Sequence, residues 1–157
     1  MTVVGEDPRV RELLDGSMNM RVGTVSGGGV PHLTPLRFVH DGRAIYTLTR
    51  AASPVASHVA ERPAVVLLFD AERTGPGAPV LRMRAHATIR DEPDLRRWYE
   101  RRAALKYFLR PAGLWNMLTH WRNLPIWLRH RRRATSDDTM ALIELMPETA
   151  ELVAGPS

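Results

Sequence analysis

The sequence predicts a mainly β domain with helical insertions, a small barrel of about six strands with a helical excursion before its last strand. Three observations carry that expectation. Strand-like runs follow one another between Arg21 and Thr49, separated only by the turn sequences Gly27-Gly28-Gly29 and Asp41-Gly42-Arg43. A continuous apolar run from Ala64 to Phe69 and a strictly alternating run from Val80 to Arg90 come next, and Thr139 to Met146 supplies a closing strand. With 157 residues and 44% hydrophobic content, the chain can bury one core and is short for two, so one domain over residues 1–157 is expected.

Asp7-Pro8 offers an N-cap and a first helical residue, so a short helix runs through Leu14, closes at Gly16 and caps one end of the barrel. Arg21 to Ser26 places apolar residues at every second position, and His32 to Val39 returns as one strand after the glycine turn. Ala44 to Thr49 is the third strand. Ser53 reads as the N-cap and Pro54 as the first residue of a helix whose apolar face, Val55, Val59 and the alanines between, ends before Pro63. The apolar run at Ala64 is expected to be buried on both sides. Ala71 to Pro79, rich in Gly and Pro, reads as a loop. The alternating strand after it sets Arg82, Arg84, His86, Thr88 and Arg90 on one face, open to solvent, a partner subunit or an anion. Glu92-Pro93 starts a helix through about Leu109, and Gly113 to Leu124 forms a second helical stretch that Pro125 breaks. Pro147 to Val153 reads as an edge strand or tail.

The absence of cysteine excludes disulfides, thiolate catalysis and cysteine-bound metal clusters. The six histidines show no zinc-type spacing, so no metal is expected. No run approaches the ~20 apolar residues needed to span a bilayer, and the start carries Glu6 and Asp7 where a signal sequence is basic and then apolar; a cytoplasmic protein is expected. The net charge of +5 is uneven: between Arg96 and Arg133 stand ten arginines and Lys106 against Glu100 alone, a net of +10, leaving −5 elsewhere. The basic insertion, at about 92–133, admits three readings. It is a lid whose Trp115, Trp121 and Trp127, with Tyr107 and Phe108, cover a cleft, a surface for anionic lipid or nucleic acid, or a helical pair packed on the barrel with its arginines solvated. The last, combined with a partial lid, is preferred over membrane or nucleic-acid contact.

The order of these elements resembles the pyridoxamine 5'-phosphate oxidase-like family of FMN- and deazaflavin-binding split barrels. The residues that carry the resemblance are the Val22-Gly23-Thr24-Val25 strand, the Gly-x-Pro-His-x-x-Pro segment from Gly29 to Pro35 and the Asp-Gly-Arg turn. The Ile-Tyr-x-x-Thr strand from Ile45 to Thr49 and the Ser-helix-x-Pro-x-Val arrangement from Ser53 to Val65 complete it. It implies a six-stranded FMN-binding split barrel, paired as a homodimer with its cofactor sites at the interface. It also implies an oxidoreductase transferring a hydride to or from a small molecule with FMN or F420. Haem is a minor alternative, because some relatives bind it. A non-catalytic binding or sensing barrel is the competing class.

In that resemblance, Pro35, Leu36, Arg37 and Phe38 border the ring system, and Thr49, with the loop to Ser53, approaches the phosphate. Their hydroxyls and the helix N-terminus suit an anion. The family usually has Arg or Lys two residues after that Ser, where this chain has Val55, so Arg50, Arg37, Arg82 and Arg84 are the candidate cations. The same loss argues against pyridoxamine-phosphate oxidase activity itself. Thr49 and Ser53 also fit a plainer reading, as a strand end and a helix cap.

Overall fold

The computed structural model of the protein describes residues 6–70, 78–108 and 140–154. Within the described residues three helices and seven strands follow in chain order: α1 (Pro8–Gly16), β1 (Asn19–Val25), β2 (Pro31–Arg37), β3 (Val39–His40), β4 (Ile45–Arg50), α2 (Pro54–Glu61), β5 (Ala64–Asp70), β6 (Val80–Arg90), α3 (Pro93–Phe108) and β7 (Met140–Val153). The caps read from sequence hold. Asp7 accepts from the Arg9 N–H and Ser53 from the Ala56 N–H, each with proline in the first turn. The expected second helical stretch, and with it Trp115, Trp121 and Trp127, lies outside the described residues.

All strand pairs are antiparallel, in the order β2-β1-β5-β6-β7-β4-β3. The two ends of that order, β2 and β3, are consecutive in the chain and joined by Phe38 alone. The sheet must therefore curl until its first and last strands meet at that residue. Because β3 has two residues, the seam closes at one end of the barrel and stays split along the rest of β2. The expected single strand from His32 to Val39 is thus two, and seven strands replace six. The cause is a change of partner: Arg37 pairs with β1 and Val39 with β4.

Inward residues of the strands form the core. Met20, Val22, Phe38, Ile45, Leu67, Phe69, Leu81, Met83, Ile143 and Leu145 are buried there, with Val10 and Leu14 of α1 and Val55 and Val59 of α2 closing over it. A second cluster lies on the outside of the sheet, where Tyr99, Leu95 and Trp98 of α3 cover Val39, Tyr46 and Leu142. The rings of Tyr46 and Trp98 meet edge to face at 5.0 Å. Arg90 bonds both Glu92 at 2.6 Å and Glu144 at 2.9 Å, tying the start of α3 to β7.

Two further expectations change. The Ala64 to Phe69 run is not buried on both faces: Val65, Leu67 and Phe69 point inward, and Ala64 and Val66 are exposed on an apolar outer face. Pro147 to Val153 is no edge or tail. It continues β7 and pairs with β6 as far as Val153, with a register shift at Arg84/Ala85 where Ala85 faces Pro147. A proline without an N–H is tolerated at such a bulge.

Candidate functional site

The turn from β4 into α2 gathers three of the expected residues. The Ser53 N–H donates to the Arg50 carbonyl at 2.9 Å, and the Thr49 hydroxyl donates to Ser53 Oγ at 3.2 Å. Ser53 Oγ in turn accepts from the Ala56 N–H at 3.2 Å, so both hydroxyls serve strand end and cap. Pro54 has no N–H and that of Ala56 is taken, which leaves the N–H of Val55 as the first helical donor for an anion. The Val55 side chain is 2% exposed and belongs to the core. Arg50 is exposed and without a side-chain partner among the described residues. It is the cation this turn offers.

Arg82 and Arg84 are elsewhere. Through the ladders, Arg50 stands opposite Met140 of β7 whereas Arg84 stands opposite Thr149, roughly 30 Å further along that strand. Within one protomer the two arginines do not share a site. Arg82 is held by Glu151 at 2.6 Å, and Arg84 lies between Val66 and Thr149 on the outer face with no partner among the described residues.

Along β2, Pro35 and Arg37 face outward and Leu36 is half-buried against the core. Phe38 is 0% exposed, its ring edge-on to Phe69 at 5.0 Å. The backbone there is held by side chains. Thr47 donates to the Arg37 carbonyl at 2.7 Å, and the Tyr107 hydroxyl accepts from the Phe38 N–H at 3.0 Å. The one phenolic proton faces the carbonyls of Met18 at 2.8 Å and Phe38 at 2.9 Å. The Arg37 guanidinium lies over the Tyr107 ring at 5.1 Å. The sequence marks Tyr107 only as one of the aromatics of a lid and does not single out Thr47, because it carries no local sign of a contact between residues 69 apart.

Of the histidines, His58 is buried on α2 with Nδ1 2.9 Å from Thr24 Oγ1 and its ring 4.8 Å from that of exposed His32. Tyr46, the aromatic of the Ile-Tyr-x-x-Thr strand, serves the fold. Burial, then Asp41 and Glu144, push its phenol up, so it stays protonated and donates to Asp41 at 3.3 Å. Burial also raises the Asp41 carboxyl, but the N–H groups of Ala44 and Arg43 and the Tyr46 hydroxyl outweigh it and leave Asp41 below its ordinary value.

The sequence model of the pyridoxamine 5'-phosphate oxidase family matches residues 7–154. No curated protein sequence matches the chain. Among solved structures, a conserved hypothetical protein, Rv2991, from Mycobacterium tuberculosis is similar with a TM-score of 0.70 and 17% identity, over 97% of this chain and 86% of that one. The haem storage protein HutZ from Vibrio cholerae gives 0.63 and 16% over 99% and 96%. A protein named F420 reductase gives 0.61 and 15% over 90% and 94%. At these identities the likeness establishes the split-barrel fold.

Proposed function

Since this chain belongs to the pyridoxamine 5'-phosphate oxidase family, we propose that it is a cytoplasmic oxidoreductase using FMN or F420 to transfer a hydride to or from a small molecule. Among the described residues no helix is long and apolar enough to cross a membrane. When bound, the isoalloxazine-type ring supplies the hydride chemistry, so the protein has only to hold and orient it. Arg50 with the Val55 N–H takes the phosphate, while Pro35, Leu36 and Arg37 border the ring. The observation that carries this reading is Arg50, without a partner among the described residues, beside the Thr49–Ser53 turn, where it supplies the charge that Val55 does not. A homodimer with its sites at the interface would let Arg84 of one copy approach the other's cofactor.

Titration of the purified protein with FMN, F420 and haem, followed by absorbance, tests this. Binding of FMN or F420 is expected, with Arg50→Ala weakening it about tenfold, the scale of one charge-assisted hydrogen bond. An unchanged Kd in that variant removes Arg50 from the site. Haem binding alone selects the minor alternative, which the exposed His32 imidazole favours. Affinity for none of the three overturns the redox reading in favour of a non-catalytic barrel.

A further inference from the structure

Phe38 sits where the sheet changes partners. Arg37 ends the ladder with β1 and Val39 begins the ladder with β4, so Phe38 has no strand opposite it although it is wholly buried. A buried N–H and C=O must find partners. Both find the same one, the Tyr107 hydroxyl, which accepts from the Phe38 N–H at 3.0 Å and lies 2.9 Å from its carbonyl. The same oxygen reaches the Met18 carbonyl at 2.8 Å, between α1 and β1. A phenol thus stands in for the missing strand at the barrel seam.

Three more contacts of the last turn of α3 converge there. The Lys106 ammonium lies 3.4 Å over the Phe38 ring and bonds the Leu14 carbonyl at 3.5 Å. The Tyr107 ring carries the Arg37 guanidinium at 5.1 Å, within cation–π range. Arg37 and its neighbours are the segment assigned above to the cofactor ring, so α3 holds that segment by backbone and by side chain together.

We propose that Tyr107 is a positioning residue, which fixes the Leu36–Phe38 seam through its hydroxyl and presents Arg37 through its ring. Its effect on cofactor binding rests on the redox reading above; its hold on the seam does not.

The test compares Tyr107→Phe, which loses only the hydroxyl, with Tyr107→Leu, which also loses the ring face. Val65→Ala, a core truncation on β5, serves as a control for general destabilisation. Amide exchange at Phe38, relative to the β6–β7 amides, is expected to quicken about tenfold in Tyr107→Phe, the scale of one lost hydrogen bond, and to keep its wild-type ratio in Val65→Ala. The Kd for the bound flavin is expected to rise about tenfold in Tyr107→Phe and further in Tyr107→Leu, while Val65→Ala leaves it unchanged.

An unchanged Phe38 ratio overturns the hold on the seam. A quickened ratio with unchanged Kd overturns the positioning of the site. If the wild type binds no flavin, the redox reading falls and the exchange ratio still decides the role of Tyr107. Should Tyr107→Phe fail to fold, the wild-type phenolic proton decides it: slow exchange with water supports the bond, and rapid averaging overturns it.

Discussion

Val55 shows how one position can leave a family's chemistry while serving its fold. It is the second helical residue of α2 and packs in the same cluster as Val59 and Ile45, at 2% exposure. An Arg or Lys there has to reach outward to meet a phosphate, but the backbone of this chain aims the side chain into apolar packing. Val55→Lys is therefore expected to lower unfolding free energy by about 3 kcal/mol, as an ammonium is buried without a partner, and not to tighten FMN binding. Urea denaturation and a flavin titration of the same variant check both. A stable variant with a lower Kd would mean that the missing charge was the whole defect and that Arg50 is no substitute. The sequence made Ser53 legible as a cap and Val55 as a departure, because both follow from neighbours within one turn. It did not reveal that Thr49 spends its proton on Ser53. That is a choice between equally local partners, which only geometry decides.

Among the elements, most strands and all three described helices were legible from alternation, caps and turn residues. The seam was not. Period-two alternation is the same whether a strand keeps one partner or exchanges it, so His32 to Val39 looked like one strand when β2 ends at Arg37. The exchange is stabilised by Thr47, 10 residues from Arg37, and from far along the chain by Tyr107. The continuous β7 was equally hidden, because Pro147 reads as a stop until the bulge opposite Arg84 and Ala85 accommodates it. The hairpin between β3 and β4 is local throughout. Asp41 accepts from the N–H groups of Arg43 and Ala44, each at 2.8 Å, and Gly42 takes φ of +91°. No atom lies within 4 Å of where a Cβ would stand on Gly42, so Gly42→Ala meets backbone strain and no clash. Its expected cost is about 1 kcal/mol in thermal or urea unfolding, with the fold unchanged. A neutral result would show that the turn relaxes to a different type, and a much larger one that the turn nucleates the seam.

For the whole molecule, the outer surface of β2, β1 and β5 is the feature that the barrel alone does not explain. The ladders place Leu33, Gly23 and Val66 in one outward row, Val25 follows two residues on along β1, and Val30 lies in the turn after it. Their exposures are high for apolar residues: 57% for Leu33, 55% for Val30, 37% for Val66 and 36% for Val25. A Cβ on Gly23 would stand in ordinary contact, 3.4 Å from the Val66 carbonyl oxygen, 3.6 Å from Val66 Cβ and 3.9 Å from Leu33 Cδ1, so the three positions are neighbours across the row. The Arg21–Asp70 and Arg82–Glu151 pairs rim it. A contiguous apolar strip inside a polar rim is the pattern of an association surface. The same strip explains why the Ala64 to Phe69 run read as buried on both sides: its outward residues are apolar for a surface that a second copy would cover. We propose that this face is where two copies meet, with Arg84, unpartnered among the described residues, carried beside Val66 into the joint site. Sedimentation is then expected to give twice the 17.7 kDa chain mass at micromolar concentration. Leu33→Arg, placing two like charges across a two-fold contact, shifts the protein to monomer and weakens flavin binding with it. A wild type that sediments as a monomer sinks the proposal. A Leu33→Arg dimer of wild-type strength moves the contact to another face.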